Sequence, residues 1–490
     1  MADSSLSAAE SLWAAQNLPS EYLSCLHLSQ NPDPVVDSSF KLGTVAQTTI
    51  GLSGLAAAYF HKLRTGVDQD VSVDARHAVV EFKSQNFYTI DDALPPGALF
   101  EELAGVYKTK DGYVRLHTNF PHHRQGILDI LQCAPTCEAI ADALSQWSAV
   151  ELETTASARK MVATALRSFA EWDAHPHGQA LAGTPPLQLI KIADAPKREV
   201  RGAPTRPLEG IRVLDLTRVL AGPSCGRTLA AHGADVLLVT SPNLPALPLT
   251  DPDTSRNKRT TQLDLTTAAD RETLATLVKD ADIFLQAYRP GGLREKGFGP
   301  EDVARARPGI VYASLTAYGF GGPWKDRRGY DSLVQTATGF NVAEGEAYVQ
   351  SVGGSEDFKP KPFPVQALDY GAGYLLAFGI NAALAKTITE GGSWEVRVSL
   401  AAVGQWIRSL GRLDLTGCFD RKLALPPRTI PLHPEIAALS VSVVRSMGDK
   451  GNSEQKQRMT AIRHAAMLSK TPVQEGKAPL TLDAHLPRWL

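Results

Sequence analysis

The sequence predicts an α/β protein: a doubly wound, parallel-sheet (Rossmann-like) large domain joined to a smaller α+β domain. Three observations carry that expectation. From Ile211 onward, short buried-strand patterns alternate with helical ones. IRVLDLT, DVLLVT, TQLDL, ADIFLQAY and IVYASL are interleaved with GRTLAAHGA and with helical runs near 268–279 and 300–307, the order that builds a parallel sheet. Ahead of them, GVYKTKDGYVRLHTN (105–119) reads as a hairpin turning at Lys-Asp-Gly. Between the two, ADAPKREVRGAPTRPLEG (193–210) has the Pro-rich, charged texture of a linker.

Taken in order, residues 1–40 are a partly helical lead ending in NPDPVVDSS. Residues 41–104 carry an apolar helix, a turn, an alternating strand and a further helix. Residues 105–192 are the small domain, 193–210 the linker, 211–415 the large domain and 416–490 a mixed tail, in which DKGNSEQKQ (449–457) is expected as an exposed loop. One stretch, 363–399, organises the rest. A single acid, Asp369, stands at the mouth of the apolar run Tyr370–Lys386, which leads through Gly391-Gly392 into a strand. A helix apolar on most of its circumference is a buried one. An acid at its start is expected either to cap the helix or to stay ionised beside the positive helix end, available as a nucleophile or base. At an offset of 325, Gly54, Ala57, Ala58, Gly66, Val71 and Val73 match Gly379, Ala382, Ala383, Gly391, Val396 and Val398, so the early helix–turn–strand reads as a second copy. In that copy the place of Asp369 is taken by Thr44.

Composition narrows the function classes. Fifty basic against 52 acidic residues give a net charge of −2, which argues against general nucleic-acid or anionic-membrane binding. Five scattered cysteines point to reduced thiols, and Cys133 and Cys137 lack the second Cys/His pair of a zinc site, so no metal is expected. The first residues are polar and acidic and no run approaches 18 apolar residues, so a cytoplasmic protein without a membrane span is expected. Gly222-Pro-Ser-Cys-Gly226 formally matches a nucleophile elbow at Ser224. It follows the first strand rather than a late one, and Pro223 constrains the turn, so a close-packing turn is the better reading. No G-x-G-x-x-G follows IRVLDL, and Thr240-Ser241 stands where a dinucleotide site wants an acid.

Five blocks accumulate in order over about residues 207–412: PLEGIRVLDLTRVLAGPSCGRTLAAHGADVLLV, NKRTTQLDL, DIFLQAYRPGGLREKGFG, IVYASLTAYGFGGPWKDRRGYDSLVQTATG and ALDYGAGYLLAFGINAAL. Together they resemble the class III CoA-transferase family (CaiB/BaiF), which includes formyl-CoA and carnitine CoA-transferases and the α-methylacyl-CoA racemases. Residues 43–190 resemble the family's second half and MLSKTP (467–472) its last segment, so the chain resembles a rearranged or part-duplicated member. The resemblance implies transfer of CoA from an acyl-CoA to a carboxylic acid, with Asp369 as the nucleophile that becomes acylated. It implies that Leu220 and Ala221 line CoA, that Leu263, Tyr288 and Arg289 contact its nucleotide side, and that Arg328, Tyr330 and Asp331 face the nucleophile. Two frequent arginines of the family fall on Ser241 and Glu295, and Lys258 and Arg259 are the expected replacements. It further implies no metal, no cofactor beyond CoA as substrate, and an intertwined homodimer. Racemases of the family carry a His where Tyr330 stands, and a tyrosine near pKa 10 exchanges protons poorly at neutral pH, so transfer is favoured. The departures keep a non-catalytic scaffold as an alternative.

Overall fold

The structure, a computed structural model, describes residues 4–98, 100–200, 202–354, 356–451 and 455–490. Its largest layer is a seven-stranded sheet of β1 (Leu187–Ala193), β2 (Arg212–Leu216), β3 (Asp235–Thr240), β4 (Arg259–Gln262), β5 (Ile283–Gln286), β6 (Val311–Thr316) and β7 (Ser393–Ser399). The spatial order is β4-β3-β2-β5-β6-β7-β1, and every pair is parallel except β7 with β1. Successive side chains serve opposite faces. Val213, Ile283, Leu285, Val311 and Ala313 enter one core, while Leu214, Phe284 and Tyr312 enter the other. Both faces are covered, which is why the strands read as unbroken apolar runs. The order reverses between β2 and β5, and that reversal opens a crevice above their carboxyl ends.

Four helices set up the site: α1 (Leu42–Thr65), α2 (Ala221–Ala231), α3 (Asp331–Ala337) and α4 (Ala367–Thr389). By length and composition α4 is apolar enough to cross a membrane, against the expectation from the sequence, but 94% of its most apolar window is buried inside the protein. It lies against α2, α1 and the sheet. Glycines make the close approaches: a Cβ on Gly373 would stand 2.5 Å from the Ala221 carbonyl oxygen, and one on Gly379 would stand 2.5 Å from Val396 and 2.6 Å from Leu187.

The internal repeat is a repeat of architecture. The strand Val71–Val73 that follows α1 pairs parallel with Leu26–Leu28 and antiparallel with Met467–Leu468, as β7 pairs parallel with β6 and antiparallel with β1. Gly54 faces Val71 and Leu468 as Gly379 faces Val396 and Leu187. The two copies exchange their outermost strands. β1, which follows the first copy in the chain, completes the sheet of the second, and Met467–Leu468, which follows the second, completes the sheet of the first.

Residues 105–181 hold a three-stranded sheet, Gly105–Lys108, Tyr113–Leu116 and Ala163–Ala165, packed on helices over 121–158 around Val114, Leu116, Ile127, Ile140, Leu144 and Leu152. In the tail, Ser440–Ser446 and Lys456–Ile462 form an antiparallel pair that also takes in Thr89–Ile90. Of the loop expected at 449–457, residues 452–454 lie outside the described residues, and Lys456 and Gln457 already belong to a strand.

Candidate active site

Asp369 sits in the first turn of α4, half-buried. It does not cap the helix. The cap position is Gln366, whose side chain makes no capping bond, and the free backbone donors of the first turn are met from outside. The Leu368 and Asp369 N–H groups donate to Asp331 Oδ2 at 2.8 and 3.0 Å, while the Gln335 amide donates to Asp331 Oδ1. An acid supplied by α3 therefore does what Asp369 could have done. The carboxyl of Asp369 itself makes no hydrogen bond among the described residues.

Its electrostatics correct the expectation that the helix end keeps it ionised. Burial, and then the neighbouring Asp331 carboxylate, hold the Asp369 carboxyl well above the usual carboxylate range. Burial also pushes Asp331 up, to about 6, opposed by its backbone and amide donors. Two carboxyls at such range cannot both ionise cheaply. The first copy handles the same place differently. There Gly43 and Thr44 donate their N–H groups to Asp33 at 2.7 and 2.9 Å, and the Thr44 hydroxyl donates to Asp33 Oδ2 at 2.6 Å. A helix-capping acid is common to both copies, and only α4 sets a second carboxyl against it.

Asp369 lines two adjoining cavities. The outer one, about 340 Å³, lies at the strand-order reversal between the 218–222 turn after β2 and residues 287–290 after β5. Leu220, Ala221, Tyr288, Arg289, Arg328 and Tyr330, all named from the sequence, line it. Arg218, Lys325 and Arg327 add positive charge. All of these cations already have protein partners: Arg218 donates to the Pro245 carbonyl at 2.8 Å, Arg289 to the Asp326 carbonyl at 3.4 Å and Lys325 to Asp326 Oδ2 at 2.6 Å. Arg328 donates to the Lys160 carbonyl at 2.6 Å and to His123 at 2.9 Å, and Arg327 lies over the Trp324 ring and donates to Ser157 and the Glu153 carbonyl. Both tie the 324–330 loop to the 105–181 unit. The turn itself is strained, since Val219, a β-branched residue on the wall of both cavities, has φ +75°.

The inner cavity, about 60 Å³, is lined by Asp331 and Asp369 together with Gln85, Phe100, His117, Asn119, Phe120, Leu247, Thr250, Ser332 and Gln366 among others. Sequence reasoning missed Gln85, His117 and Asn119 because they come from the first copy and the 105–181 unit, whose docking is purely tertiary. Gln85 is held by the Tyr370 hydroxyl at 2.6 Å, so the residue after Asp369 ties α4 to the first copy. A signal was present in the sequence: His117, Asn119, His122 and His123 form a polar cluster directly after a strand.

Three expected binding residues are elsewhere. Lys258 is fully buried, its ammonium donating to Asp215 Oδ2 at 2.7 Å and to the Pro223 carbonyl at 2.8 Å. Arg259 forks onto Asp235 at 2.9 Å. Both replace the missing arginines only in sequence: they line a different groove, beside 440–490, because their side chains are spent on ion pairs under and beside β2 and β3. Leu263 is buried in the core on the far face of the sheet. Ser224 is buried inside α2, its hydroxyl without a partner among the described residues and away from any elbow.

The chain is similar in sequence to known proteins. An acetyl-coenzyme A transferase, nodX, of Hypoxylon pulicicidum is 31% identical over 337 residues, covering 64% of this chain and 55% of that one. An acyl-CoA transferase of Gibberella moniliformis is 26% identical over 431 residues, covering 80% and 73%. The crystal structure of a hypothetical protein, Rv3272, from Mycobacterium tuberculosis shares 33% identity over 42% of this chain and 59% of that one, with a TM-score of 0.38. The chain spans about half the length of most of the curated relatives it matches. Residues 208–410 match the family model described as CoA-transferase family III. The span that carries β2 to β7, the 218–222 turn and Asp369 is therefore similar to CoA-transferase family III.

Proposed function

We propose that this protein moves coenzyme A from an acyl-CoA to a carboxylic acid through a covalent intermediate on Asp369. One observation carries the reading: a carboxyl without a hydrogen-bond partner among the described residues, placed where a cation-lined cleft meets a small chamber. Arg218, Arg289 and Lys325 suit the phosphates of CoA in the outer cleft, and the thioester then falls beside Asp369.

In the proposed cycle an Asp369 oxygen attacks the thioester carbonyl. The C–S bond breaks, CoA leaves as thiolate with the electron pair, and a mixed anhydride remains. The thiolate attacks the aspartyl carbonyl, freeing the donor acid as carboxylate and leaving an aspartyl-CoA thioester. The acceptor carboxylate displaces CoA thiolate from that thioester, and the thiolate then takes the acceptor's acyl group and restores Asp369. Covalent catalysis of this kind keeps the activated bond's energy at each step, and half-burial of the carboxyl limits hydrolysis of the anhydride. Coenzyme A enters as substrate, with no resident cofactor. Any homodimer would be an assembly of two sites each lined from its own chain.

A racemase reading has one observation in its favour, the His117 ring 4.2 Å from that of Tyr330 in the same chamber. Burial pushes His117 down to about 3 and Tyr330 up to about 12, so neither exchanges protons readily at neutral pH, and transfer remains the better account. The test is to incubate the protein with an acyl-CoA, quench with hydroxylamine and look by mass spectrometry for a hydroxamate at Asp369. Asp369→Ala is expected to lose the adduct and at least about 10³-fold in turnover. An intact Asp369 after quenching, with α-proton exchange in deuterated water, would favour racemisation. Neither signal would favour a scaffold.

A further inference from the structure

The inner chamber has properties that CoA transfer as such does not require. At about 60 Å³ it admits roughly four to six water-sized groups, taking about 10–15 Å³ for each. Among the described residues no Lys or Arg lines it, whereas Arg218, Arg289, Lys325, Arg327 and Arg328 all line the outer cleft. The phosphates thus belong outside and the acyl group inside. An acyl chain ending in a second carboxylate would enter beside Asp331 and Asp369, and Arg115, the cation that acts on Asp331, is not among the residues lining the chamber.

The chamber is equally unsuited to plain hydrocarbon. His117 lines it with a buried Nδ1 that has no hydrogen-bond partner among the described residues, and the Ser332 hydroxyl beside Asp331 is likewise unpartnered. The neutral imidazole offers one donor and one acceptor, and the hydroxyl offers both. Filling the space with methylene groups alone would leave these polar atoms unmet, each a desolvation cost.

We propose that the chamber selects a short, uncharged acyl group, about two to four carbons long, that carries a hydroxyl or keto oxygen for His117 and Ser332. This rests on the transfer reading above and names its substrate class.

The experiment is isotope exchange of each acyl-CoA with its own ¹³C-labelled acid, so that donor and acceptor share one acyl group and no second acid has to be chosen. Lactyl-, propionyl-, succinyl- and octanoyl-CoA are the probes. Lactyl-CoA is expected to exceed propionyl-CoA by about tenfold in kcat/KM, and both to exceed succinyl- and octanoyl-CoA. His117→Phe, and independently Ser332→Ala, are expected to pull the lactyl-to-propionyl ratio towards one. Equal rates for lactyl and propionyl, an unchanged ratio in both variants, or succinyl or octanoyl exchange as fast as lactyl would overturn the proposal while leaving transfer standing. No exchange with any of the four would overturn transfer itself.

Discussion

A carboxyl at position 369 is a burden that the fold has no structural use for. In the first copy the side chain of the matching Thr44 gives Asp33 a hydrogen bond, and in the second the side chain of Asp369 gives Asp331 only a like charge. Because burial and Asp331 raise the folded-state pKa of Asp369, its cost is absent below the ordinary carboxyl pKa of about 4 and builds as pH rises above it. Asp369→Thr should therefore raise the melting temperature at pH 7–8, by about 1–3 °C, with the gain shrinking towards pH 4. Calorimetry showing the gain largest at pH 4 would refute this. The exchange rate should likewise fall on the acid side at a pH above the ordinary carboxyl range. The position of Asp369 was legible in the sequence because the acid and its apolar helix are contiguous. Its partner in strain was legible only as a neighbour, and its electrostatics not at all, since they depend on Asp331 arriving from 38 residues away. Lys258 misled for the same reason: its countercharge, Asp215, lies 43 residues off in β2.

At the scale of elements, α4 holds Asp369 in place through contacts that only glycine permits. A methyl at Gly379 would press within 2.6 Å of two side chains, Val396 and Leu187, whereas one at Gly54 meets its nearest neighbours, Val71 and Ala466, at 3.0 and 3.1 Å. Gly379→Ala should therefore cost about 1–3 kcal/mol by overpacking, and Gly54→Ala distinctly less, as read from urea midpoints. Equal costs would show that the two helices are not packed as described. The strands of the large sheet and the 105–119 hairpin were readable from period and turn residues. The antiparallel edge strand β1 was not, because LQLIKIA carries no mark of which sheet it joins. That choice is made by Leu187 meeting Gly379.

At the scale of the molecule, a single chain lines both cavities: Phe120, His122 and His123 come from one half, Leu220, Tyr288 and Asp369 from the other. The activity per milligram should then stay constant on dilution through any dimer dissociation, followed by light scattering alongside the exchange assay, and a fall in step with dissociation would show that a second copy completes the site. The exchanged outer strands also bear on how the chain is made. β1 leaves the ribosome about 200 residues before its partner β7, and Leu26–Leu28 and Val71–Val73 wait about 400 for Met467–Leu468. Pairings so distant in sequence form late, so the early half must spend most of its synthesis with sheet edges uncovered until the strand at 467 arrives to shut them.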